Sequence, residues 1–112
     1  MDIYGIKNCD TCRKARKWLD ESGREYSWHD LREAPPGETV LRRWVEVIGL
    51  ECLVNRRSTT WRTLVEPDRA RAGDPGLAPG LLADNPTLIK RPVFDTGDRI
   101  LVGFDDTVKQ AL

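Results

Sequence analysis

The amino-acid sequence predicts an α/β fold, and three observations on the order of its apolar patterns support this prediction. Strand-like and helical patterns alternate over about the first 31 residues, and a hairpin pattern followed by a helical one ends the chain. Between these two segments, only short helical patterns and turns occur. A chain of 112 residues is long enough to bury its own core. We therefore predict a single domain over residues 1–112, with a helical insertion at about residues 37–85.

The N-terminal segment has the pattern of a strand, a helix and a second strand. Residues 1–6 form an apolar run that predicts a strand, and residues 10–22 carry apolar side chains at helical spacing up to Gly23. The imperfect alternation over residues 24–31 predicts another strand. A strand, a helix and a strand within so few residues are typical of a βαβ unit with parallel strands.

The middle of the chain has only helical patterns. An apolar helical face over residues 38–50 ends at Gly49, and a short helix is predicted to begin at the capping residue Ser58. Two further short helices are predicted over residues 66–72 and 77–84. This segment therefore predicts the helical insertion.

The C-terminal segment predicts a β-hairpin and a last helix. Residues 91–95 and 99–102 have strand patterns on either side of the turn-prone residues 96–98, and Asp105 and Asp106 are suited to cap a helix. The complete order of elements is that of a thioredoxin-like fold with a helical insertion between the βαβ unit and the β-hairpin-α unit.

Cys9 and Cys12 form a CxxC motif at the predicted start of the first helix. At a helix N-terminus, free backbone N–H groups and the helix dipole favour an anion, and a thiolate is one. Such motifs lower a thiol pKa from about 8.5 to values at which the thiolate predominates at neutral pH. We expect Lys7, Arg13 and Lys14 to act in the same direction. The motif therefore predicts redox chemistry at this end of the helix.

A zinc site and a structural disulfide are the alternatives for this motif. A tetrahedral zinc site needs two further ligands, and only Cys52 and His29 remain, without zinc-finger spacing. A disulfide within a CxxC motif closes a very short loop and constrains the unfolded chain little. We therefore expect no metal.

Cys52 lies beside an apolar run and is expected to be structural, and His29 is a candidate general base without an evident link to Cys9. Three tryptophans at helical spacing are expected in the core: Trp18, Trp44 and Trp61.

Charge and hydropathy exclude several classes of partner. Lysine plus arginine and aspartate plus glutamate both number 18, so the formal net charge is zero and no domain-wide basic surface for nucleic acid is expected. No apolar run is long enough to cross a membrane. Three cysteines without a signal peptide predict a protein of the reducing cytoplasm.

Four blocks of the sequence resemble the arsenate reductase (ArsC) family, and they occur in the family's order. The resemblance spans essentially the whole chain, which is most similar to the YffB-like branch of proposed glutathione-dependent thiol reductases. The run that begins at Cys9 is also similar to the Spx regulators. The four blocks are Tyr4 to Ala15, Asn55 to Arg62, Leu88 to Pro92 and Leu101 to Phe104.

The resemblance implies a thioredoxin-like fold with an all-helical insertion, and it implies roles for particular residues. Cys9 is then the nucleophile that forms a mixed disulfide, and Cys12 or glutathione resolves it. Arg91 is expected to hold a carboxylate of glutathione or an oxyanion through forked hydrogen bonds. Pro92 is expected to follow a cis peptide bond and to direct the backbone toward the cysteine, where a thiol ligand can pair with it. Glutathione is then a co-substrate, and no bound cofactor is implied.

The resemblance also implies further substrate-binding residues. Classical arsenate reductases surround the oxyanion with three arginines, of which Arg91 matches one and Arg57 is the expected substitute for the second. The third falls near residues 102–103, where this chain has no arginine. Thr11 is a candidate for substrate binding or for capping the helix. The candidates that flank the nucleophile are Lys7, Asn8 and Thr11.

Two alternative functions stay open beside a thiol reductase. The first is arsenate reduction, which uses the same nucleophile. The second is a redox-switched regulator of the Spx type, which binds the C-terminal domain of the RNA polymerase α subunit and uses its CxxC motif as a sensor. Against the second, the Thr59-Thr60-Trp61 block resembles the reductases, and the chain ends at Leu112, shortly after its predicted last helix, whereas the regulators carry more C-terminal sequence.

Overall fold

The computed structural model describes all of residues 1–112 and contains one mixed β-sheet of four strands. β1 and β2 are parallel, whereas β3 pairs antiparallel with both β1 and β4. The predicted βαβ unit and β-hairpin are therefore confirmed. The strands are β1 (Asp2–Gly5), β2 (Ser27–Asp30), β3 (Val93–Asp95) and β4 (Ile100–Val102), in the spatial order β2-β1-β3-β4.

Helices connect and follow the strands, which confirms the mixed α/β class. The first lies between β1 and β2, the last follows β4, and the others lie in sequence between β2 and β3. The α-helices are α1 (Asp10–Glu21), α2 (Glu38–Ile48), α3 (Leu50–Leu53), α4 (Thr59–Thr63), α5 (Glu66–Arg71), α6 (Ala78–Asp84) and α7 (Asp106–Ala111), and a 3₁₀ helix spans Pro86–Leu88. None of these helices has the length and apolar character needed to span a membrane.

Contacts divide the chain into two compact units. The first unit comprises Met1–Ala34 and Arg91–Leu112 and contains the sheet, α1 and α7. The second unit comprises Pro35–Lys90 and contains α2 to α6 with the 3₁₀ helix. The helical segment predicted over about residues 37–85 falls within the second unit. The assignment of both units to a single domain stays a prediction.

The core of the first unit lies between the sheet and the two helices that belong to it. Ile3 of β1 and Phe94 of β3 meet Ala15 and Leu19 of α1 and Val108 of α7, and all five are buried. Each of the four larger side chains among them contributes about 1.5–3 kcal/mol relative to an exposed one. Partly buried side chains extend the cluster, and they include Trp18, Trp28, Leu101 and Phe104.

The core of the second unit is built from its helices. α2 packs against α6, and Trp44 of α2 is fully buried, as predicted. An isolated β-bridge pairs Val54 with Ile89. Trp61 was predicted in the core, but it is only partly buried, because α4 has five residues and the ring contacts the guanidinium groups of Arg56 and Arg69 at 5.6 and 5.8 Å instead.

Most observed elements differ from the predicted ones by one or two residues at an end, and three differences are larger or of another kind. β2 begins at Ser27 rather than at residue 24, because Gly23, at a φ of 68°, follows the end of α1 and an exposed link comes next. The helix predicted over residues 38–50 ends at Ile48, and the one-turn helix α3 follows Gly49. The 3₁₀ helix was also not predicted. Ser58 caps α4 as predicted, since its hydroxyl oxygen accepts a hydrogen bond from the Trp61 N–H at 3.1 Å.

Gly5 ends β1 at a point where two side chains approach the backbone closely. A Cβ atom at this position would lie 2.6 Å from the Cys12 sulfur and 2.8 Å from the Trp28 indole carbon Cη2. A Cβ atom essentially never lies this close to a non-bonded heavy atom, so glycine is the residue that allows β1, Cys12 and Trp28 to meet as they do.

We expect Gly5→Ala to destabilise the protein by about 1–3 kcal/mol, because the new methyl group overpacks a buried contact. Urea unfolding of the reduced protein measures the change. Gly73→Ala is the matched control, since its added Cβ would meet only the Ala70 carbonyl oxygen, at 3.6 Å, and should change stability by less than about 0.5 kcal/mol. Equal stability of the two variants would contradict the close packing at Gly5.

Candidate active site

A short turn after β1 places Cys9 at the start of α1. The Cys9 N–H donates to the Ile6 carbonyl at 3.1 Å, and the Arg13 N–H donates to the Cys9 carbonyl at 3.0 Å. Cys9 therefore occupies the N-cap position of a helix of 12 residues, with extended backbone angles of −92° and 121°. Its side chain is partly exposed, whereas Cys12, in the first turn of the helix, is fully buried.

The surroundings of Cys9 favour its thiolate. Burial by itself raises the pKa of Cys9, but the backbone N–H and the thiol of Cys12 act in the opposite direction. The positive charge of Arg91 and the N–H of Thr11 lower the pKa further, and the net result lies below the ordinary value of 9.0. A partly exposed sulfur that ionises readily is the requirement for a nucleophile in thiol–disulfide exchange.

The surroundings of Cys12 favour its neutral thiol. Burial raises the pKa of Cys12 to about 12, and the charge and hydrogen bonding of Cys9 raise it too. A backbone interaction with Ile6 and the charge of Arg91 only partly offset these effects. The two thiols therefore differ before any reaction, because their surroundings lower the pKa of Cys9 and raise the pKa of Cys12.

Arg91 and Pro92 enter the site from the start of β3. The peptide bond between them is cis, as the resemblance implied. The Pro92 carbonyl accepts a hydrogen bond from the Gly103 N–H at 2.9 Å, which ties this segment to the end of the hairpin. Arg91 is partly buried and acts electrostatically on both sulfurs, so the structure brings it together with Cys9 and Cys12.

Arg91 is the cation with the largest effect on the Cys9 pKa, which it lowers. Lys7 is exposed and pairs with Glu33 at 3.0 Å, and Arg13 is exposed and pairs with Asp10. Lys14 is exposed on α1. The effect that the sequence assigned to these three residues stays a prediction.

Two of the residues that flank Cys9, Asn8 and Thr11, have exposed side chains. The suggestion that Thr11 caps the helix was wrong, because the N-cap position is occupied by Cys9 and Thr11 lies one residue inside the helix. The nucleophile is flanked in the sequence by three exposed residues, Lys7, Asn8 and Thr11. Their roles in substrate binding stay predictions.

Asp30, which the sequence did not single out, is buried at the end of β2 and contacts the turn before Cys9. Its carboxylate accepts hydrogen bonds from the N–H groups of Lys7, Arg32 and Glu33 at 3.2, 2.8 and 3.1 Å. Burial by itself raises the pKa of Asp30, but these N–H groups and the Lys7 charge outweigh it and hold the pKa below 3.8. The carboxylate therefore stays ionised inside the protein.

The other candidates are Arg57, His29 and Cys52. Arg57 belongs to the second unit and is exposed, and its N–H donates to the Asn55 side-chain oxygen at 3.0 Å. His29 pairs with Asp2 at 2.9 Å and stacks on the ring of Tyr4 at 4.6 Å. Cys52 was expected to be structural, but α3 leaves it exposed. No group of three or more histidine, cysteine or carboxylate side chains is arranged to hold a metal ion.

The chain is similar to known proteins over most of its length. The model of the ArsC family matches residues 4–112. An uncharacterized protein of Haemophilus influenzae is 43% identical over 111 residues, which cover 99% of this chain and 96% of that protein. The global transcriptional regulator Spx of Streptococcus mutans is 26% identical over 109 residues, which cover 95% of this chain and 77% of the regulator.

Solved structures resemble the chain over nearly its whole length. The YffB (PA3664) protein is 42% identical and superimposes with a TM-score of 0.90, covering 98% of this chain and 96% of that one. A protein from Brucella melitensis that is related to arsenate reductase is 40% identical, with a TM-score of 0.72 and coverage of 98% and 91%. These similarities confirm the thioredoxin-like fold.

The raised pKa of Cys12 makes stability depend on pH in the alkaline range. Between 9.0 and about 12, the unfolded thiol ionises while the folded one keeps its proton, so the free energy of unfolding should fall as pH rises. Cys12→Ala should remove this part of the slope. Urea unfolding under reducing conditions at several pH values measures it.

Cys52→Ala is the matched control, because it removes an exposed thiol. It should keep the slope of the unmodified protein. An identical slope in Cys12→Ala would show that Cys12 is not held neutral in the folded state.

Proposed function

The chain belongs to the ArsC family, and on that premise we propose that it is a thiol–disulfide oxidoreductase with glutathione as reducing co-substrate. The observation that supports this most strongly is the pairing of a readily ionised, partly exposed Cys9 with a fully buried, protonated Cys12. The family and its arsenate-reductase-related members provide the chemical context. No bound cofactor is part of the proposal.

The first step is attack of the Cys9 thiolate on one sulfur of a substrate disulfide. A new bond forms between the Cys9 sulfur and that sulfur, and the other sulfur leaves as a thiolate that takes a proton from water. Arg91, beside Cys9, is suited to hold a carboxylate of a glutathionyl group, because guanidinium and carboxylate form paired, charge-assisted hydrogen bonds. Pro92 directly follows Arg91, and we propose that its backbone contacts a thiol ligand.

The second step releases Cys9 by one of two routes. A glutathione thiolate can attack the mixed disulfide at its non-protein sulfur, which regenerates the Cys9 thiolate and forms a glutathione disulfide. Alternatively, Cys12 loses its proton to water and attacks the Cys9 sulfur, which forms an internal disulfide and releases the substrate sulfur as a thiolate. Two glutathione molecules then reduce the internal disulfide and become glutathione disulfide. The mixed disulfide removes the Cys9 charge, one of the causes of the raised Cys12 pKa, so the first step itself eases ionisation of Cys12.

Further contacts with the substrate are proposed from exposed polar residues. Lys7, Asn8 and Thr11 are accessible around the nucleophile in sequence. Arg57, exposed in the second unit, is the proposed second anion-binding arginine. A glutathione-dependent activity requires a reducing compartment, and we place the protein in the cytoplasm on that ground.

A redox-switched regulator is the second candidate, and the similarity to Spx of Streptococcus mutans favours it. In this case the two cysteines form a disulfide on oxidation, and the oxidised and reduced forms differ in affinity for a partner, which we propose to be the RNA polymerase α subunit. Arsenate is an alternative substrate for the same nucleophile. Arg91, in the first unit, would then contact the arsenate oxyanion.

Glutathione-coupled turnover, with a mixed disulfide and with arsenate in parallel, tests the proposed function. We expect disulfide turnover by the wild type, none by Cys9→Ser, and turnover within about tenfold of wild type by Cys12→Ser, because glutathione can resolve the intermediate. Activity retained without Cys9 would contradict the assignment. Turnover of arsenate alone would favour the arsenate reductase, and no turnover of either would favour the regulator, to be tested by redox-dependent binding to the polymerase domain.

We expect Arg91→Ala to raise the KM for glutathione about tenfold or more, because a hydrogen bond between charged groups contributes about 1.5–3 kcal/mol. Steady-state kinetics at a pH where Cys9 is ionised in both proteins separates binding from nucleophile ionisation. Arg99→Ala, which removes an exposed arginine that donates to the Ala111 carbonyl, is the control. An unchanged KM for glutathione in Arg91→Ala would contradict a role of Arg91 in binding glutathione.

A further inference from the structure

The Asp30 carboxylate makes two kinds of hydrogen bond. Its Oδ1 accepts from the N–H groups of Arg32 and Glu33, which form the turn that directly follows Asp30. Its Oδ2 accepts from the N–H of Lys7, which lies in the turn between β1 and α1. One oxygen therefore shapes the local turn, and the other holds a distant segment.

The distant segment is the turn that ends at Cys9. The hydrogen bond from the Cys9 N–H to the Ile6 carbonyl closes that turn, and Lys7 is its second residue. The backbone of β2 adds a neighbouring bond, because the Leu31 N–H donates to the Gly5 carbonyl at 2.8 Å. The end of β2 is thus bonded to the end of β1 and to the turn before the nucleophile.

We propose that Asp30 is a positioning residue for Cys9, because its carboxylate fixes the Lys7 amide and thereby the turn that presents the Cys9 sulfur at the start of α1. The proposal rests on the proposed function of Cys9 as a thiolate nucleophile. Asp30 acts through the backbone, because its carboxylate accepts its hydrogen bonds from backbone N–H groups.

The position of the sulfur matters because the groups that favour the thiolate have fixed directions. The N–H groups of Thr11 and Cys12 belong to the first turn of α1, and Arg91 approaches from β3. A sulfur displaced by a shift of the turn loses part of its interaction with all of them. Removing the Lys7 contact should therefore reduce the ionised fraction of Cys9 in a protein that is still folded.

Asp30→Asn is a selective test of the Lys7 contact. An amide side chain has one accepting oxygen and one donating nitrogen. With its oxygen toward Arg32 and Glu33, the asparagine keeps both local bonds, and its NH₂ group then faces the Lys7 N–H, donor against donor. The substitution therefore removes the distant bond while it leaves the local turn and the side-chain volume nearly unchanged.

Lys7→Pro is a second, independent variant that removes the donor instead of the acceptor. Proline is well tolerated as the second residue of a turn and has no N–H. Its reference is Lys7→Ala, which loses the same side chain and keeps the amide. Asp105→Asn is the control for loss of a carboxylate that accepts a backbone N–H far from Cys9 in the sequence. The Asp105 oxygen accepts from the Val108 N–H at 2.9 Å.

The measurement is the rate of alkylation of each cysteine by iodoacetamide at neutral pH under reducing conditions, followed by mass spectrometry of peptides. The chain contains its own standards. Exposed Cys52 is the reference thiol, and fully buried Cys12 reports unfolding, because it is protected only in the folded protein. The ratio of the Cys9 rate to the Cys52 rate therefore measures activation of Cys9 in molecules whose Cys12 remains protected.

We expect this ratio to exceed one in the wild type at neutral pH. Repeated at a pH about one unit below the Cys9 pKa, where the thiol is mainly protonated, the ratio should fall by about threefold or more in Asp30→Asn, and in Lys7→Pro relative to Lys7→Ala. In that range an increase of half a unit or more in the Cys9 pKa reduces the thiolate fraction by that factor. Asp105→Asn should keep the wild-type ratio. Loss of Cys12 protection with an unchanged ratio would mean that Asp30 only stabilises the fold, and would overturn the inference. A ratio near one in the wild type would overturn the proposed nucleophile itself.

Discussion

The chemistry that we propose for this protein depends on the interaction between the Cys9 sulfur and the N-terminal end of α1. In most helices the N-cap side chain is an oxygen acceptor for the first free N–H groups. Here the N-cap residue is a cysteine, and a thiolate is the form that interacts best with those groups. Gly5, which lets β1 approach Cys12 and Trp28, and Asp30, which holds the turn before α1, both support that arrangement.

Much of the fold could be predicted because its longer elements have strong local patterns. α1 and α2 each carry an apolar face over at least three turns, and the hairpin of β3 and β4 is marked by a turn with Gly97 at a φ of 92°. α3 has four residues, which is too few for a periodic pattern to show. Trp61 illustrates the same limit, because a tryptophan in a five-residue helix gives no information on whether a core lies beside it.

The active site could be predicted only in part, since its parts come from distant segments. Cys9 and Cys12 form a local motif, whereas the relation of Arg91 to them came from the family resemblance and not from spacing. Sequence proximity favoured Lys7 and Arg13 as the activating cations, but carboxylates of their own surroundings pair with both. The role of Asp30 could not be predicted from the residues around it in the sequence. Its burial and its hydrogen bond to the Lys7 N–H arise only when β2 lies beside β1.

An enzyme and a redox switch share the first step at this site, and the second step separates them. Turnover requires glutathione to reach the mixed disulfide, and the partial exposure of Cys9 permits this. A switch requires an internal disulfide that persists, and full burial of Cys12 shields one of its two sulfurs from external thiols. Attack by glutathione on such a disulfide is then directed to Cys9, and it releases the Cys12 sulfur, whose thiolate is disfavoured by burial. We therefore expect the internal disulfide to be reduced more slowly than the mixed one. In the proposed mechanism, the competition between glutathione and Cys12 for Cys9 then separates the two behaviours.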